Sequence, residues 1–349
     1  MMSTYISTLA WTSAARNVLP RLQTEITKAQ VEISTGRSAD LGLSLGVGTG
    51  QSVDLHAAEA RLTTLKQDHA LAKSRLDLTQ TALGQISSDT NTFLQNLIAA
   101  KSSNLGTAIM VDQAKSGLSA FTAMMNTSDG QRYAFGGENS SIAPLVDYDS
   151  GPKAAVNAAF ALRFGLNAAD PQNDPNIANI SASDMEDFLN NEFAALFADP
   201  AWGQDWSRAS SQDVTTRIST SETVPVSTTA NTTAMRNLAM AYTMVSQLGL
   251  TALPEAAKDM VLKKAVDVTG AAVSGLTAVS STLGVSQTRI AAAETATQNS
   301  LDVVSARIAA IEGVDPAEAK TRLDTLTTQL QMSYSTTAKI MQLSILNYV

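Results

Sequence analysis

The sequence predicts a mainly α-helical chain, with N- and C-terminal helices paired in a long coiled-coil bundle and a small mixed α/β domain inserted in the middle. Apolar residues recur every three or four positions in both the first and the last third of the chain, which is the helical period. The middle third differs in charge and proline content, which is typical of an inserted domain. The last ten residues carry no charged side chain and predict a helix with an uncovered apolar face.

The N-terminal segment predicts a helix over residues 4–33, because apolar side chains recur at spacings of three or four. Pro20 predicts a break or kink near Leu19, since proline lacks a backbone N–H group. Gly36 suits the left-handed position that ends a helix. The glycine-rich stretch 41–50 then predicts an extended connector.

The segment 62–97 predicts a coiled-coil helix, because its seam positions alternate spacings of three and four over five heptads. Several seam residues are small or polar, which favours a tight bundle over a strong isolated dimer. The seam residues are Leu62, Leu65, His69, Ala72, Leu76, Thr79, Leu83, Ile86, Thr90, Phe93 and Leu97.

The C-terminal part predicts helices with the same period. One helix begins near Met235, and another opens at Pro254 and runs to Gly313. Asp315 followed by Pro316 is typical of the start of a new helix, with the aspartate as N-cap. This final helix contains no charged residue after Lys339.

The insert, residues 136–230, holds 13 acidic and 4 basic residues and six of the nine prolines. Within it, 153–166 and 182–197 predict helices and 213–231 predicts two short strands. We therefore predict three domains. They are a terminal coiled coil (1–40 with 314–349), a helical rod (41–135 with 231–313) and the insert (136–230).

Composition and motifs argue against several classes of function. The net charge of −8 argues against nucleic acid as a partner, and no uninterrupted apolar run reaches the length of a membrane span. The N-terminus lacks the pattern of a cleavable signal peptide. His56 and His69 lack metalloprotease spacing, and Trp202 and Trp206 fit a small core better than a sugar site. We expect no catalytic site, cofactor or metal, and we expect His69 to pack in the helical seam.

Three segments resemble the flagellin superfamily of bacterial flagella: "EISTGRSADLGLSLG", "MNTSDGQRYAFGGENSSIAPL" and the terminal "MSYSTTAKIMQLSILNYV". Within the family, "RYAFGG" before an insert is most similar to the hook-associated proteins. The resemblance covers about residues 1–140 and 231–349. Glycines follow the "STG" segment here, where many relatives carry an asparagine and two aspartates.

The resemblance implies a structural subunit of the extracellular flagellum, exported unfolded and joining the hook to the filament. Its implied partners are further copies in a ring layer, flagellin, another hook-associated protein and an export chaperone. The alternatives are the main filament subunit and, from another class, an enzyme or sensor with coiled-coil ends. The terminal helices are the implied assembly interface, through Leu22, Ile26, Ala29, Ile33, Leu323, Leu326, Leu330, Tyr334, Met341, Ile345 and Tyr348.

Overall fold

The structure, a computed structural model, describes the backbone of residues 8–102 and 106–346, and the side chains of 18–100 and 106–339. Ten α-helices and one two-stranded antiparallel sheet make up the regular structure of these residues. The helices are α1 (Thr8–Thr35), α2 (Leu41–Leu45), α3 (Thr49–Ser102), α4 (Thr107–Met125), α5 (Pro152–Phe164), α6 (Ala182–Asn190), α7 (Glu192–Ala195), α8 (Thr233–Gln247), α9 (Glu255–Glu312) and α10 (Pro316–Leu346). The strands are β1 (Thr215–Arg217) and β2 (Thr223–Pro225).

The chain divides into two compact units. Unit one comprises residues 1–64 and 296–349, and unit two comprises 65–295. The buried apolar core lies in unit two, where residues of the helices and of the insert belong to one cluster. The finer division into a rod and an insert stays a prediction.

Helix α1 ends as predicted. Gly36 adopts a positive φ of 69°, and its N–H donates to the carbonyl of Glu32 at 2.8 Å. Helix α1 continues through Pro20, so the break predicted near Leu19 is wrong, and the kink given as its alternative stays a prediction. A proline removes one backbone hydrogen bond, and the turns on either side sustain the helix here.

The predicted extended connector at 41–50 is also wrong. Residues 41–45 form α2, a 3₁₀ turn follows at Gly46–Gly48, and α3 begins at Thr49. The Asp40 side chain accepts a hydrogen bond from the N–H of Leu43 at 3.1 Å, which starts the helix. Gly46 ends α2 with a φ of 52°, a value that glycine adopts more readily than other residues.

The heptad prediction for α3 is confirmed within unit two. All nine seam positions from His69 to Leu97 are buried. Thr79 and Thr90 donate to carbonyls one turn earlier, at 2.9 and 2.6 Å, so these buried hydroxyls have partners in their own helix. His69 packs in the seam as predicted, with Nε2 3.0 Å from the carbonyl oxygen of Ile218.

Helices α3 and α9 run antiparallel in unit two and are joined by side-chain amides. Gln80 donates to the Ser280 carbonyl and accepts from the Ser280 hydroxyl, both at 2.8 Å. Gln287 donates to Asp77 at 2.8 Å. These contacts fix the register of the two helices at this level.

The insert contains the predicted helices and strands, except that the second predicted helix is divided at Asn191 into α6 and α7. Its aromatic side chains contact one another in series, with centroid distances of 5.1–5.8 Å between successive rings. Trp202 and Trp206 are buried and stacked, which confirms them as core residues. The series is Phe160, Phe188, Phe193, Phe197, Trp206 and Trp202.

By length and composition, one helix in the described part of the chain could cross a membrane. An 18-residue window of α9 has a mean hydropathy of 1.3, and 28% of it is buried. No charged residue stands between Asp267 and Arg289. Leu276 and Leu283 in this stretch pack in the core of unit two, so we interpret it as a core helix.

Candidate assembly interface

Helices α1 and α10 pair with each other in unit one. Gln23 donates to the Tyr334 hydroxyl at 3.4 Å, and nearer the other end of the pair Arg322 lies 3.0 Å from Glu32. Residues that come later in α1 therefore contact residues that come earlier in α10. The pair is antiparallel.

The predicted interface residues lie along this pair but are incompletely covered by it. Tyr334 remains 49% exposed. Of the others, Ala29 is buried, and the half-buried ones are Leu22, Ile26, Ile33, Leu323, Leu326 and Leu330. The side chains of Met341 and Ile345, and all of Tyr348, lie outside the described residues.

Unit one buries little apolar surface by itself. Among its described side chains, the buried apolar ones are Ala29, Ile308 and Ala319, two of which are alanines. A stable helical unit normally hides a continuous apolar stripe against a neighbour. The stripe on α1 and α10 therefore has room for a further apolar partner.

A buried carboxylate lies where α3, α9 and the end of α1 meet. Glu312 is the last residue of α9 and is 1% exposed. Its Oε1 accepts from the Ser52 hydroxyl at 2.6 Å and lies 2.8 Å from Nε2 of His56. Its Oε2 lies 3.5 Å from the guanidinium of Arg37. The other ring nitrogen of His56 faces Glu59 at 3.3 Å.

This environment holds the pKa of Glu312 below its ordinary value. Burial by itself raises that pKa, because it disfavours the charged form. Hydrogen bonds from Ser52 and His56, together with the electrostatic interactions with His56 and Arg37, outweigh the effect of burial. Glu312 is therefore a buried charged group that the folded chain supplies with polar partners.

The backbone and a second carboxylate strengthen the same junction. The N–H of Ser38 donates to the Glu312 carbonyl at 2.8 Å, and that of Val314 donates to the Gly36 carbonyl at 3.0 Å. The buried Glu32 accepts from the Ala39 N–H at 3.3 Å, in addition to its contact with Arg322. The α1–α10 pair is thus tied to the ends of α3 and α9.

Sequence reasoning missed this junction. The spacing of the histidines bears only on metal binding, and within the described residues no group of three or more His, Asp or Glu side chains is placed to hold a metal. The only local signal was the position of Glu312 directly before the helix-ending Gly313. Such a glutamate is normally solvated, and its burial depends on residues about 260 positions away.

The "RYAFGG" motif forms the start of the insert in unit two. The N–H of Ala230 donates to the Phe135 carbonyl at 3.0 Å, which places the two ends of the insert side by side. Gly137 has a φ of 59°, and a Cβ there would lie 2.5 Å from the Gln212 carbonyl oxygen. Both the conformation and the close approach require glycine.

These features define a helical structural protein whose two terminal helices pair and whose middle carries a mixed insert. Residues 6–140 match the bacterial flagellin N-terminal helical region, and residues 266–349 match the bacterial flagellin C-terminal helical region. The chain belongs to the flagellin family. It is a structural protein of the bacterial flagellum, which lies outside the cell.

A solved structure described as a flagellar hook-associated protein from Vibrio parahaemolyticus has a similar fold. The TM-score is 0.52 at 9% identity, and the match covers 75% of this chain and 96% of that chain. No protein among the curated sequences matches significantly.

Proposed function

We propose that this chain is an adaptor that joins the flagellar hook to the flagellin filament. Further copies would complete a ring layer through the terminal helices, with flagellin on one side and another hook-associated protein on the other. The chain would be exported unfolded, with a chaperone for its terminal helices. The half-covered stripe on α1 and α10 is the observation that carries the assembly part of this proposal.

The choice of adaptor is supported by the predicted single insert, which follows "RYAFGG", and by the likeness to a hook-associated fold. The main filament subunit is the second candidate, because both matched family regions are described as flagellin regions. The terminal helices serve either role and do not separate the two.

A clean deletion of the gene tests the proposal. For an adaptor, we expect cells that build hooks and release flagellin into the medium but carry no filament. Electron microscopy shows the hooks, and immunoblotting of the medium shows the flagellin. If the medium of the deletion strain contains no flagellin, the deleted gene encoded that flagellin, and the chain is the filament subunit.

A further inference from the structure

An open cavity of about 590 Å³ lies between helices α3, α4 and α8 in unit two. Sites for small molecules commonly have volumes of roughly 300–1,000 Å³. Small residues on α4 leave this space, since Ser116, Gly117 and Ala120 line one wall. A Cβ at Gly117 would collide with the ring of Tyr242, so the glycine lets that ring lie directly against α4. The cavity therefore follows from the small residues on one face of this helix.

The buried residues of the cavity lining are aromatic or aliphatic. The ring centroids of Phe93 and Phe121 lie 4.5 and 6.5 Å from that of Tyr242. Ile86 of α3 and Leu238 of α8 are buried beside them. A ligand that fills this space therefore needs an apolar body that can cover aromatic rings.

The charged residues of the cavity lining are all negative. Asp89 of α3 and Asp112 of α4 are acidic, and no Lys or Arg stands among the described residues of the lining. Asn96 donates to Gln113 at 3.2 Å, so the remaining long polar side chains are neutral amides. Burial raises the pKa of the Tyr242 hydroxyl, and the nearby charge of Asp89 raises it further. The negative charge of Asp89 therefore acts on the apolar interior of the cavity as well as on its rim.

We propose that this cavity binds a small organic cation with an aromatic body, of the class of the arylalkylamines. The ammonium group would pair with Asp89, and the negative charge of Asp112 would add to the attraction. Asp89 accepts one hydrogen bond, from the Gln85 amide at 2.8 Å, and a carboxylate has room for further donors. The aromatic body would lie against Phe93 and Tyr242, whose rings also attract a cation. An anion of the same shape would be repelled by the two carboxylates.

Three probes that share one ring system and differ in charge test this proposal on the full-length chain. They are naphthylmethylammonium, naphthylmethanol and naphthoate. The ε-methyl NMR signal of Met124, which lines the cavity, reports binding and is assigned with the variant Met124→Leu. We expect the cation to bind about tenfold more tightly than the neutral alcohol, and we expect naphthoate to leave the signal unshifted.

A matched pair of variants tests the role of the carboxylate. Asp89→Asn should lower the affinity for the cation to about that for the alcohol. Asp68→Asn makes the same change at an exposed residue of α3 outside the cavity lining and should leave the affinity unchanged.

The proposal fails if the three probes bind the wild-type chain equally well or if none of them shifts the Met124 signal. It also fails if Asp89→Asn binds the cation as tightly as Asp68→Asn does. The probe series uses the unsubstituted chain, so it decides the question even if Asp89→Asn lowers the stability of the fold. None of these measurements involves the terminal helices, so the proposed function stands or falls separately.

Discussion

The carboxylate of Glu312 lies 2.8 Å from Nε2 of His56, although 256 residues separate the two in the chain. The contact joins the end of α9 to the first turns of α3, beside the point where α1 ends and α10 begins. A buried charge without partners would destabilise the fold, and here the side chains of Ser52, His56 and Arg37 surround it. The stability of unit one should therefore depend on this carboxylate.

Glu312→Gln removes the charge with little change in shape. We expect it to destabilise unit one by about 1–3 kcal/mol, because the hydrogen bonds from Ser52 and His56 weaken and Arg37 loses its counter-charge. Hydrogen–deuterium exchange of the amides in α1 and α10 measures this loss. Glu318→Gln is the control, since Glu318 is exposed and its ion pair with Arg322, at 3.5 Å, is exposed as well. Equal effects of the two substitutions would contradict the structural role of Glu312.

The same carboxylate predicts a stability that depends on pH. The folded-state pKa of Glu312 is lowered, so its contribution is fully present above the unfolded-state pKa of about 4.3 and is lost as the pH falls through the folded value. Urea unfolding of wild type and Glu312→Gln at pH 7 and in steps down to pH 3 measures this. The difference between the two free energies of unfolding should become smaller at acid pH. A difference that stays constant with pH would contradict this role of Glu312.

Leu326→Asp places a charge on the half-buried stripe of α10. We expect incorporation into flagella to fall at least tenfold, because the aspartate would be buried against a neighbouring copy, while unit two keeps its wild-type unfolding transition. Swimming assays and immunoblots of isolated flagella measure the loss. Gln329→Asp adds the same charge at an exposed position of α10 and should incorporate normally. Normal swimming of the Leu326 variant would exclude the stripe as the interface.

The aromatic series predicts that the insert folds by itself. A fragment of residues 136–231 keeps Asn231, which accepts from the Trp202 indole at 2.8 Å and from Ser207 at 2.6 Å. We expect a soluble, acidic monomer with dispersed NMR signals. The matched fragment 136–230 lacks Asn231 and should be less stable by about 1 kcal/mol. An unfolded longer fragment would show that the core depends on α4 and α8.

An adaptor should not polymerise into long filaments by itself. It must stop after one or a few layers, so its contacts with its own kind along the flagellar axis should be weaker than those with its neighbours. Sulfate strengthens the burial of apolar surface and makes the test stringent. Electron microscopy of the concentrated protein in sulfate should show monomers or small oligomers. Filaments hundreds of subunits long would instead favour the main filament subunit.

Regular periodicity made much of the fold predictable. The seam from His69 to Leu97 was identified from spacing alone, and every member is buried. Local capping signals also sufficed at Gly36 and Asp315, whose side chain accepts from the Ala317 N–H at 2.8 Å. Such features depend on neighbours within one or two helical turns.

Features that depend on distant parts of the chain were not predictable. The glycines of the connector indicated an extended segment, but the Asp40 cap made α2 helical. The partners of Glu312 come from α3 and from the residues that follow α1, and no local pattern marks them. The proposed contacts between molecules are even less predictable, because a sequence shows an apolar stripe but not the partner that covers it.

The antiparallel pairing of α1 and α10 has a consequence for labelling the protein. Because the two helices run in opposite directions, the start of α1 and the finish of α10 lie at the same end of the pair. A fluorescent tag placed at the start of α1 or at the end of α10 would occupy the same location and, in the proposed assembly, would lie beside the interface. The tip of the β1–β2 hairpin, where Thr220 and Ser221 are exposed, is the better insertion point for live-cell imaging.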